Sequence, residues 1–101
     1  MQAHLSLAAV TAVVQLQGRF DFNTHREFRD ITESAINGEG VQEIHVDLGL
    51  VDYLDSSALG MLLMLRDRAR NANKTVALVN CKGSVRQVLD IANFGKLFSI
   101  K

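Results

Sequence analysis

The stretch from Glu43 to Val79 constrains the fold more than any other part of this chain. Glu43-Ile44-His45-Val46-Asp47-Leu48 alternates, which sets Ile44, Val46 and Leu48 on one face of a strand and His45 and Asp47 on the other. Thr75-Val76-Ala77-Leu78-Val79 is a continuous apolar run instead, the pattern of a strand covered on both faces. Between the two, Ser56 to about Asn71 reads as a single helix. Two strands joined through a helix form a crossover unit, so this segment calls for an α/β sheet with right-handed connections.

The flanking sequence extends the same pattern. Ser6 to Ala9 and Ala12 to Gln17 read as two short strands, paired as a hairpin around Val10-Thr11. Gly18 and Asn23-Thr24 mark a turn and a helix start. From Thr24 to about Ile36, apolar Phe28, Ile31 and Ala35 recur three and four residues apart among charges, as in an amphipathic helix that Asn37-Gly38 stops. Ser84 is placed to cap a helix running through Ala92 and burying Val85, Val88, Leu89 and Phe94, and Leu97 to Ile100 closes the chain. The predicted architecture is α/β: a mixed β-sheet of about four to five strands, with the helices mainly on one face. A chain of 101 residues, 48% hydrophobic, has room for one core, so residues 1–101 are expected to form one soluble domain.

Several function classes find no support. His4, His25 and His45 have no metal-ligand spacing with one another or with Cys81, and no nucleophile elbow, P-loop or dinucleotide fingerprint occurs. No metal, cofactor or enzymatic activity is therefore expected. The lone Cys81 has no internal partner for a disulfide and reads as a small buried hydrophobe in a reducing compartment. The apolar stretch Leu5 to Leu16 lacks preceding Lys or Arg and is broken by Ser6, Thr11 and Gln15, which argues against a signal peptide or membrane insertion and for a cytoplasmic location. The formal net charge is zero, yet residues 1–55 carry nine acids against three bases and residues 56–101 carry eight bases against two acids. That polarity suits oriented docking to a charged protein surface better than direct nucleic-acid binding.

The chemistry concentrates at Asp55-Ser56-Ser57-Ala58-Leu59-Gly60, where strand gives way to helix. A helix start has unpaired N–H groups and a partial positive charge, so it tolerates an anion. Ser and Asp are also the commonest helix caps, and simple capping explains the segment without any further function. The two readings are compatible. With Asp55 as the cap, accepting the N–H of Ser57 or Ala58, Ser56 occupies the first helical position with a free hydroxyl and is a better phosphate acceptor than Ser57. The helix that follows is apolar nearly all round, with Leu63 and Met64 about 130° to either side of its apolar centre. It is either wholly core or leaves a docking patch, in which Gly60 permits close backbone approach and Met61 and Met64 offer adaptable contacts.

Gly18-Arg19-Phe20-Asp21, Val46-Asp47-Leu48 leading through Tyr53-Leu54 to the serine motif, and Val85-Arg86-Gln87-Val88-Leu89 together resemble the STAS domains that act as anti-sigma factor antagonists in bacterial partner switching. The resemblance spans nearly the whole chain. It implies that Ser56, directly after the Asp, is phosphorylated by a partner that is both anti-sigma factor and serine kinase, and that a metal-dependent serine phosphatase reverses this. It further implies that the unphosphorylated form binds the partner and frees the sigma factor. Many members have Gly where this chain has Ala58, a change that leaves both serines in place. The expected partner-binding residues are Asp21, Asp55, Ser56, Ser57, Ala58, Gly60, Met61 and Met64. A STAS subunit that braces a transporter or sensor complex without switching is the alternative.

Overall fold

A computed structural model describes residues 1–101. Strands β1 (Gln2–Ala8), β2 (Thr11–Phe20), β3 (Glu43–Leu54), β4 (Thr75–Val79) and β5 (Ser99–Ile100) form one sheet in the order 1-2-3-4-5. Helices α1 (His25–Ile36), α2 (Ser56–Asn71) and α3 (Gly83–Ile91) connect the last four strands, which are mutually parallel; only β1 is antiparallel to its neighbour. Each crossover steps in the same direction across the sheet. Three right-handed crossovers that never reverse direction lay all three helices on one face, as the sequence predicts, and create no strand-order reversal at which a ligand crevice could open.

The helix-side residues of the sheet alternate as required. Ala12, Val14 and Leu16 of β2, Ile44, Val46 and Leu48 of β3, and Leu78 of β4 are buried against Phe28, Thr32 and Ala35 of α1, Ala58, Met61, Leu62, Leu65 and Ala69 of α2, and Val85 and Leu89 of α3. Fully burying each large aliphatic side chain contributes about 1.5–3 kcal/mol. Thr32 is tolerated in this core because its hydroxyl donates to the Phe28 carbonyl at 2.8 Å.

Five sequence expectations are corrected. The hairpin turns at Ala9-Val10, with Ala9 in the left-handed region at φ 56°, so Thr11 already belongs to β2 and pairs with Ala8. β1 begins at Gln2 because its partner strand supplies the ladder even where β1 itself buries almost nothing. β3 continues six residues past Leu48, beyond register shifts between Gln15 and Gln17 and between Gly18 and Arg19 of β2, which break the strict alternation. β4 is only partly covered behind the sheet: on the face away from the helices Ala77 is buried, but Val79 is half-buried and Thr75 exposed, because no helix lies there. At α3, Ser84 lies inside the helix; Lys82 occupies the cap position and makes no side-chain capping bond.

Candidate functional site

β2 and β3 run in parallel and end side by side, with Phe20 opposite Leu54 and the Asp55 N–H donating to the Phe20 carbonyl at 3.4 Å. Each strand is followed at once by an aspartate that caps the next helix. Asp21 Oδ1 accepts the Asn23 N–H at 3.0 Å, starting the 3-10 turn Phe22–Thr24, and Asp55 Oδ1 accepts the Ala58 N–H at 2.9 Å, starting α2. Two acidic caps therefore stand at neighbouring strand ends.

Ser56 and Ser57 occupy the first two positions of α2, are exposed, and make no side-chain hydrogen bond within the chain. With Asp55 already satisfying the Ala58 donor, neither serine is needed as a cap. Asp21 sits differently: it is buried, and its second carboxylate oxygen lies 3.5 Å from Arg19 Nε. Arg19 stacks its guanidinium 4.2 Å from the centre of the Tyr53 ring on the adjacent strand. Asp21 is thus built into the frame that orients the two strand ends.

The expected docking residues separate along the helix. Ala58 and Met61 lie inside the core with Leu62 and Leu65, since a rotation of about 100° per residue carries all four onto the sheet side. Their side chains are not offered to a partner. Gly60 is exposed, and a Cβ built on it would meet nothing within 4 Å, so the surface there is open to a close approach. Met64 is 52% exposed and Leu63 36%, which places uncovered apolar surface along α2 below the serines.

Sequence reasoning missed Phe22, which stands 67% exposed directly after Asp21. The available signal was a phenylalanine in a polar turn, Asp21-Phe22-Asn23-Thr24, on no helical or strand period that could bury it. Between α1 and α2, a crevice lined by His25, Phe28, Arg29, Met61, Met64 and Arg68 has a volume of only ≈ 10 Å³. That is room for about one water, so this crevice is too small to hold a ligand.

Cys81 is half-buried beside the C-terminal end of β4, and burial pushes its thiol above the ordinary 9.0, with Arg86 acting in the opposite sense. It stays a protonated thiol at neutral pH. No group of three or more His, Cys, Asp or Glu side chains is arranged to hold a metal ion.

The family model described as Mlab, STAS domain, matches residues 3–99. The chain belongs to the STAS domain family. A STAS-domain containing protein of Pseudomonas aeruginosa is 49% identical over 87 residues, covering 86% of this chain and 84% of that protein. Among solved structures, the unphosphorylated anti-sigma factor antagonist SpoIIAA superposes with a TM-score of 0.74 at 20% identity, covering 99% of this STAS domain and 87% of that chain. The structure of a Thermotoga maritima protein reaches 0.85 at 18% identity, covering 97% of this domain and 84% of that chain. A sulfate transporter family protein of Wolinella succinogenes has the same fold, at 0.78 and 11% identity, covering 93% and 75%. At these identities the structures share the fold of this STAS domain, and the fold is common to an antagonist and a transporter-family protein.

Proposed function

We propose that this STAS domain is a phosphorylation-switched regulatory binding protein of the cytoplasm. In its unphosphorylated form it binds an anti-sigma factor that is also a serine kinase, and so releases the regulator which that partner holds. Phosphorylation of Ser56 ends the binding, and a metal-dependent serine phosphatase restores it. The observation that carries this reading is the Ser56 hydroxyl, exposed at the start of α2 and released from capping duty by Asp55.

The switch follows from electrostatics. Phosphoserine adds about −1.5 to −2 charge beside the Asp55 carboxylate. The helix N-terminus stabilises that anion by about 0.3–1 kcal/mol, so the fold survives. Across an interface, one new charge about 5 Å from a partner carboxylate repels by roughly 3 kcal/mol at an effective dielectric near 20, or about a hundredfold in affinity. Binding is lost long before folding.

A STAS subunit that binds constitutively within a transporter or sensor complex is the second reading, favoured by the likeness to the transporter-family fold. Such a subunit needs the surface but not the hydroxyl. Intact-mass measurement of the protein isolated from its host separates the two: a shift of about 80 Da that disappears in Ser56→Ala supports the switch, and its absence under every growth condition supports the constitutive subunit.

A further inference from the structure

β1 is an outer edge of the sheet, and nothing shields it. Natural edge strands are protected by charges, proline, bulges or covering segments. β1 reads Gln-Ala-His-Leu-Ser-Leu-Ala, with no Lys, Arg, Asp, Glu or Pro, and pairs with β2 over seven consecutive residues without a register shift. The opposite edge, β5, is only two residues long.

The hairpin phase determines which backbone groups remain unpaired. A two-residue turn closes on a hydrogen-bonded pair, here Ala8 with Thr11, so Ser6, His4 and Gln2 direct their N–H and C=O groups to β2. Those of Ala3, Leu5 and Leu7 point outward. Leu7 is 63% exposed, and Leu5 and Ile31 of α1 are only partly covered where they pack against the core.

We infer that β1 is a self-association edge, at which two copies of this chain pair antiparallel across a two-fold axis into one continuous ten-stranded sheet. The choice of a second copy rests on charge and on the two edges. A two-fold axis through Leu5 sets Ala3 opposite the second copy's Leu7, and an edge bearing Lys or Glu would confront its own charge there; this one bears neither. Pairing of β1 with the two-residue β5 edge has too short a ladder to compete, so the association closes at a dimer and does not grow into a filament. β2 stands between β1 and β3, so both copies keep Ser56 uncovered.

The test is molar mass by sedimentation equilibrium over a dilution series, on wild type, Leu7→Lys, Ala3→Pro and Ile91→Lys. Ala3→Pro removes an outward donor without touching the β2 ladder. Ile91 is the most exposed large apolar residue, at 83%, on α3 away from this edge. The inference expects wild type and Ile91→Lys to approach twice the monomer mass as concentration rises, and Leu7→Lys to weaken the dimer about tenfold or more. Should Leu7→Lys prove unfolded by circular dichroism, Ala3→Pro decides by the same criterion. A wild type that stays monomeric throughout, or a dimer lost in Ile91→Lys and kept in the folded β1 variants, overturns it.

Discussion

Asp55 accepts the Ala58 amide at 2.9 Å, and that one bond separates the two tasks at the start of α2. Capping falls to the aspartate. The adjacent Ser56 hydroxyl is left exposed, with no structural duty that modification would disturb.

The division of labour is testable at Asp55. Asp55→Ala is expected to cost about 1 kcal/mol, and Asp55→Asn, whose side chain caps equally well, much less. In thermal denaturation the alanine variant should melt roughly 4–8 °C below wild type, and the asparagine variant should lie close to wild type.

At Ser56, the expected result is a binding defect without a folding defect. Titration calorimetry with the cognate kinase should give Ser56→Ala the wild-type affinity and Ser56→Asp a weaker one, by up to about a hundredfold. Both variants should melt within a few degrees of wild type, because an acidic side chain in the first turn suits the helix dipole.

Phe22 stands beside the two acidic caps with two-thirds of its surface uncovered. Phe22→Ala is expected to leave stability within about 0.5 kcal/mol of wild type and to weaken partner binding by tenfold or more, the signature of an aromatic anchor. Unchanged partner affinity in a pull-down titration would remove Phe22 from the docking surface.

Leu62 and Leu63 are chain neighbours with opposite surroundings, the first inaccessible and the second 36% exposed. Leu62→Ala should cost about 2–5 kcal/mol in urea unfolding, through lost burial and the cavity left behind. Leu63→Ala should cost under about 1 kcal/mol.

Cys81 supplies a pH dependence. Its folded pKa lies above the ordinary thiol value, so the unfolded chain loses this proton first, and the contribution to stability is whole below pH 9 and is lost as pH rises through the folded value. Unfolding midpoints measured on the alkaline side should fall more for wild type than for Cys81→Ala. A disulfide reagent at pH 8 should label the folded thiol more slowly than the unfolded one.

Much of this protein is legible without coordinates where burial imposes a period. α2 runs over Ser56–Asn71 as its pattern requires, Ile44, Val46 and Leu48 share the covered face, and Leu63 and Met64 escape it. The cap at Asp55 is equally local, since a carboxylate and the amide three residues on need only a helix between them. Other features depend on neighbours distant in the chain. The length of β1 comes from its ladder with β2, the last six residues of β3 follow β2 through two register shifts, and the bare rear of the sheet reflects crossovers that all step the same way. The pairing of Asp21 with Asp55, 34 positions apart, arises because two parallel strands end together. Side-chain periodicity is written residue by residue along a chain, whereas register, edge exposure and the meeting of strand ends exist only once separate segments have bonded to one another, and there the tertiary structure alone decides.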